Sequence, residues 1–202
     1  MVAFLPRILI SVFLLPASSF PLSSPVKTSL NHYVSKPSSD NNNRSGRQCI
    51  TAALQVTLHI QGRKINDHNE VAFEQYAMRL TPHRIQLKTV WHKSNDQLTK
   101  AIKATSREPC ICLDVCGQQL DSGGFEQLLY QRLVEGGSRL AFVIGGAEGL
   151  PDEVREKKDP KLQHVEFISL SSMTFTHQMA RVILAEQVYR AAEIRKGTGY
   201  HK

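Results

Sequence analysis

Few folds accommodate the run Leu140-Ala141-Phe142-Val143-Ile144 followed at once by Gly145-Gly146. All five side chains are apolar, so the segment has no face to offer to water. A strand of that kind is covered on both sides, as in mainly parallel sheets with helices packed on either face. The run empties into Gly145-Gly146-Ala147-Glu148-Gly149-Leu150. Glycine there lets the backbone turn sharply and lets other atoms approach it closely. The spacing is not the G-x-G-x-x-G phosphate-binding pattern, because the first two glycines are adjacent. Taken alone, it predicts a tight turn.

The flanking sequence alternates strands with helices. Residues 53–60 and 85–91 alternate apolar and polar side chains, as half-buried strands do. Residues 109–115, closed by Gly117, predict a third strand, the run 140–144 is the fourth and residues 165–170 are the fifth. Helices are expected over 71–80, over 95–106 with Asn95 or Asp96 as cap, over 125–135 ended by Gly136-Gly137, and over 176–194. The last is apolar nearly all round, which predicts burial on more than one side, with a second subunit as the further surface. The charged residues between 152 and 161 are expected to form a solvated helix or loop.

Residues 1–48 read differently. Arg7 precedes the apolar run Ile8-Leu9-Ile10-Ser11-Val12-Phe13-Leu14-Leu15 and the small residues Ala17-Ser18-Ser19. That is the order of a signal peptide, over about 1–19, and it is too short to span a bilayer stably. Residues 20–48 are rich in Ser, Thr, Asn and Pro and carry Lys27, Lys36, Arg44 and Arg47 against Asp40 alone, which is transit-peptide composition. The two parts together, with Phe20 at the junction, look like the bipartite leader of nucleus-encoded plastid proteins. The expected destination is the plastid stroma, with secretion or another organelle as the alternatives. No stable membrane association is expected once the leader is removed. The leader holds five of the 25 Lys/Arg and one of the 18 acids, so it supplies +4 of the +7 net charge. Residues 49–202 are therefore only mildly basic, and charge by itself says little about an RNA partner.

Of the four cysteines, Cys110 and Cys112 share one face of the third strand, Cys116 lies at its end, and Cys49 follows the leader. Paired C-x-x-C ligands are missing, so no metal site is expected, and the thiols are expected to be buried and free in a reducing compartment.

The chemistry concentrates in the C-terminal third. Leu170-Ser171-Ser172-Met173-Thr174-Phe175 sets hydroxyl and apolar side chains just ahead of a helix whose first N–H groups are free. The chain closes on Gly199-Tyr200-His201-Lys202, aromatic and polar residues at an end where most chains fray. Together with the 142–150 segment, these stretches resemble the ribosomal RNA large subunit methyltransferase H family, small SPOUT-class enzymes. The likeness covers nearly all of residues 54–202, and it is specific at the C-terminal end and weak in the N-terminal half. Gly199 stands where members typically carry proline.

The resemblance implies an α/β fold, a mainly parallel sheet with helices on both faces and a C-terminal deep trefoil knot, formed by residues 49–202. It implies S-adenosylmethionine as cofactor, no metal, a homodimer, and the ribosome as partner. The implied reaction is methylation of large-subunit rRNA at N3 of a pseudouridine in a subunit-interface stem-loop. The alternatives are the same fold acting on another RNA such as tRNA, or a ribosome-assembly factor without catalysis. By the same resemblance, Leu113, Gly145 and residues Leu170, Ser171, Ser172, Met173, Thr174 and Phe175 hold the cofactor. Tyr200 and His201 are the implied catalytic residues, acting in the partner's cleft, with Glu148 a second candidate to take the N3 proton. Lys202 is an expected RNA contact. For Arg181, three roles are open: an RNA phosphate, a carboxylate partner, or bracing of the knot. The RNA contact is the expectation.

Overall fold

A cap decides where most of the helices begin. The computed structural model describes residues 53–105 and 108–201. Within them, α1 (His68–Leu80) starts three residues before the apolar pattern does, because the Asp67 carboxylate accepts the N–H groups of Asn69 and Glu70. Ser94, rather than Asn95 or Asp96, caps α2 (Asn95–Ala104). Asp121 caps α3 (Ser122–Glu135), and Thr176 caps α5 (His177–Lys196). A single turn, α4 (Asp152–Arg155), lies between the fourth and fifth strands, and a 3₁₀ turn, Gly199–His201, closes the chain.

The strands are β1 (Leu54–Gln61), β2 (Ile85–His92), β3 (Cys110–Gln119), β4 (Arg139–Ile144) and β5 (Val165–Ser169). They form one parallel sheet in the order β2-β1-β4-β3-β5. The fully apolar strand is its centre, as its composition requires. Leu140, Phe142 and Ile144 face a core built with α1, α3 and α5. Ala141 and Val143 face a smaller one built with α2 and residues 150–165. Burial of both faces is what makes an uninterrupted apolar run tolerable here.

Three expectations need correction. Gly117 does not end β3. A Cβ at that position would lie 2.5 Å from the Ile168 carbonyl carbon. Glycine is therefore what lets β3 run close along β5 to Gln119. Cys110 and Cys112 are buried and free as expected, but Cys116 is exposed, and Cys49 lies outside the described residues, as does the leader. The charged run 152–161 is packed rather than merely solvated. Val154 and Leu162 are wholly buried, and Lys103 of α2 reaches both Glu153 (2.6 Å) and Asp159 (2.9 Å).

Candidate functional site

A cleft of about 720 Å³ opens at the C-terminal ends of β3, β4 and β5. This is the edge of a parallel sheet where ligands are usually received, and the volume suits a small cofactor. A smaller hollow of about 560 Å³ lies at the opposite, N-terminal edge beside β1 and β2.

Three chain segments make the wall of the cleft. The first comes from an irregularity in β3. Leu113 and Gln118 both pair with Ile168, so residues 114–117 are pushed out of the ladder. That excursion brings Leu113, Asp114 and Val115 to the cleft. Asp114 is nearly closed off from solvent. Its Oδ1 accepts the Cys116 N–H (2.9 Å), and its Oδ2 accepts Nε–H of Arg155 (3.2 Å).

The second segment is the glycine turn. Gly149 sits at φ +83° and donates its N–H to the Gly146 carbonyl. A Cβ on Gly145 would lie 2.3 Å from the carbonyl carbon of Gly149, and one on Gly146 would lie 1.3 Å from Oε1 of Gln61. Gly145 is thus required by the protein's own backbone packing, whereas at Gly146 the Gln61 side chain would have to move aside. What comes close to Gly145 is the 149–150 peptide, and their contact makes the cleft floor.

The third segment runs from Ser169 to His177. The Ser169 hydroxyl donates to the Ser171 carbonyl (2.8 Å), and the Ser171 hydroxyl accepts the Met173 N–H (3.0 Å), which folds the loop on itself. Leu170 and Phe175 lean on the core, while Met173 is 66 % exposed at the mouth.

Of the expected cofactor residues, Leu113, Gly145, Leu170, Ser171, Met173, Thr174 and Phe175 therefore meet in one cleft. Ser172 does not line it and is exposed. Asp114, Arg155 and His177 do line it and were not expected there. Asp114 adjoins Leu113, which could have flagged it. Nothing in a run of charges marks out Arg155.

Arg181 is a correction. It is 2 % exposed, with Nη1 2.6 Å from Oε2 of Glu70, Nε donating to the Thr89 hydroxyl, and its guanidinium 3.7 Å from the Phe73 ring centroid. The Arg181 hydrogen bond holds the Glu70 carboxyl below its ordinary range, against the opposing effect of burial. Of the three roles open to it, Arg181 takes the carboxylate partner, joining α5 to α1, and it is not available to a phosphate.

The tail also departs from a one-chain active site. The Tyr200 ring packs against Tyr189 (5.0 Å) and under the Arg190 guanidinium (5.0 Å). His177 marks the cleft end of α5, and twelve residues of helix separate it from Tyr189, about 18 Å at 1.5 Å per residue. Tyr200 does not line the cleft of its own chain. His201 belongs to the same final turn, and Lys202 lies outside the described residues.

The family model described as predicted SPOUT methyltransferase matches residues 54–201. The chain belongs to the SPOUT methyltransferase family. A curated relative, ribosomal RNA large subunit methyltransferase H of Protochlamydia amoebophila (strain UWE25), is 46% identical over 134 residues, which are 66% of this chain and 88% of that protein. Two solved structures are also similar. One, a suspected RNA methyltransferase from Bacillus anthracis, has 13% identity and TM-score 0.40 and covers 68% of this chain and 94% of its own. The other, a suspected methyltransferase from Legionella pneumophila with bound SAM, has 12% identity and TM-score 0.34, with 69% and 67% covered.

SPOUT methyltransferases use S-adenosylmethionine, and this chain's cleft fits it. Adenosine needs a flat apolar slot edged by backbone donors and acceptors. Leu113, Ile144, Leu170 and Phe175 supply the apolar surface, and the 145–149 and 169–174 backbones border it. The parallel α/β architecture is the SPOUT fold, and a wall made of three separate loops is consistent with the deep knot expected of it.

Proposed function

We propose that this SPOUT enzyme methylates large-subunit ribosomal RNA, at N3 of a pseudouridine in a subunit-interface stem-loop. The observation that carries the reading is the 46% identity to a protein named ribosomal RNA large subunit methyltransferase H, over 88% of its length. When bound, the cofactor supplies a methyl group already activated on a sulfonium. The residues of the chain then have to position the base, exclude water and take up the N3 proton. Leu113, Leu170 and Phe175 hold the adenosine end, and Met173 covers the mouth. Glu148, exposed at the edge of the cleft, and His201 are the two candidates for the proton.

The enzyme works as a homodimer in this reading, and the position of Tyr200 supports it. A tail docked on the far half of α5 stands away from its own cleft, which suits service to another subunit's. Met179 on α5 and Val71 and Met78 on α1 are exposed apolar side chains on the two helices that would meet a second copy. Tyr200 would stack on or hydrogen-bond the target base, with Lys202 on the RNA backbone. On the composition of residues 1–48, we place the mature enzyme in a plastid stroma.

Labelled S-adenosylmethionine, incubated with the protein and bacterial-type ribosomes with and without the pseudouridine, tests the proposal. Transfer that depends on the pseudouridine is expected. Transfer to free tRNA instead would move the target, and cofactor binding without any transfer would favour an assembly role.

A further inference from the structure

Among the described residues on the cleft wall, Arg155 is the one permanent cation. It arrives there through the docked segment 150–162. The buried Val154 anchors that segment, and Lys103 clamps it through Glu153 and Asp159. Its guanidinium passes over Gly149, where a Cβ would stand 3.0 Å from Nη2, so the glycine at φ +83° also leaves room for the arginine. Only Nε is engaged, on Oδ2 of Asp114. Neither Nη group has a hydrogen-bond partner among the described residues. Asp114 is 6 % exposed at its side chain, and its two oxygens each accept one hydrogen bond, which leaves lone pairs on both.

A fixed carboxylate beside a guanidinium with its outer donors unspent is complementary to a zwitterion. The guanidinium fork matches a carboxylate in two parallel hydrogen bonds, and the aspartate accepts from an ammonium. The cofactor carries such a group, the α-amino acid end of its methionine, which the apolar slot for adenosine cannot hold.

Resting on the reading of the cleft as a cofactor site, we propose that Asp114 and Arg155 form its receptor for the α-amino acid end, Arg155 taking the carboxylate and Asp114 the ammonium. The packed segment 150–162 then has a function, to carry one half of this pair. Its charges are set against α2 and β3 so that Arg155 stands at a fixed height over the glycine turn.

The test separates the two ends of the ligand. Titration calorimetry on the full chain would compare S-adenosylhomocysteine, which keeps the amino acid, with 5′-methylthioadenosine, which lacks it. In Arg155→Gln, affinity for S-adenosylhomocysteine should fall about tenfold, a loss in keeping with a charge-assisted bidentate contact, while methylthioadenosine stays within about twofold. Arg155→Lys, which keeps the charge but loses the fork, should fall between. Equal weakening of both ligands, or of neither, would overturn the assignment. If the wild-type chain bound neither adenosine compound, the cofactor reading of the cleft would fall, and this assignment with it.

Discussion

Arg181 and Glu70 face each other at 2.6 Å across the packed helices α5 and α1, both shielded from solvent. The pair is completed by the Phe73 ring beneath the guanidinium and by Lys64, 3.1 Å from the other carboxylate oxygen. Removing Arg181 leaves Glu70 with the half-exposed Lys64 as its remaining counter-charge, so the cost falls below the about 3–5 kcal/mol of a fully unpaired buried charge. Arg181→Ala should lower stability to urea by about 2–3 kcal/mol, and RNA affinity should fall only as the folded fraction falls. Lost RNA affinity at full stability would return Arg181 to an RNA role.

Acid sensitivity should come in part from His59. Burial first, and then the neighbouring His92, hold its pKa down to about 4 from 6.5, and the two rings share one hydrogen bond of 2.9 Å. The folded chain keeps this imidazole neutral while the unfolded chain protonates it from about 6.5. Stability therefore falls as pH drops from 6.5 towards 4, and is fully present above 6.5. His59→Gln should flatten the urea midpoint over that window, and a slope as steep as wild type would contradict the assignment.

Gly145→Ala should damage the fold as well as the ligand site. Its Cβ would meet backbone atoms of Gly149 and Leu150 at 2.3–2.6 Å, and backbone cannot step aside as a flexible side chain can. A cost of about 1–3 kcal/mol, or more, is expected, together with loss of cofactor binding. Gly123→Ala, whose Cβ would have only a carboxylate oxygen at 3.7 Å, serves as the comparison and should change thermal stability by under about 1 kcal/mol.

Lys103→Ala should loosen the segment that carries Arg155. Lys103 is the link from α2 to both Glu153 and Asp159. Amide exchange over residues 152–161 should quicken by about tenfold while β4 is unaffected. Unchanged exchange would mean that Val154 and Leu162 hold the segment without help.

Deleting residues 200–202 should leave cofactor affinity unchanged and reduce methyl transfer by at least about a hundredfold, since Tyr200 lies away from its own cleft and in the proposed dimer would serve another. Co-assembly with a subunit that has an intact tail but a blocked cleft should restore part of the activity. Normal turnover by the deleted chain would reduce the tail to a packing element.

Much of the fold was legible because local rules produce it. The apolar run 140–144 could only be a strand covered on both faces, and it is the centre of the sheet. Boundaries slipped where a polar cap outruns the apolar pattern, as Asp67 does for α1, or where glycine continues a strand, as Gly117 does in β3.

Period, capping and glycine placement act within a few residues of chain, so residues 53–201 read in one dimension already carry the strand–helix alternation and the segments that become the cleft wall. Packing across long separations settled the rest. Arg181 was expected to contact RNA until Glu70, 111 residues away, was found against it. Arg155 looked like one charge in a solvated run until it met Asp114, 41 residues distant, above the glycine turn. A charge takes its role from the partner and dielectric around it, and neither is written in its neighbours along the chain.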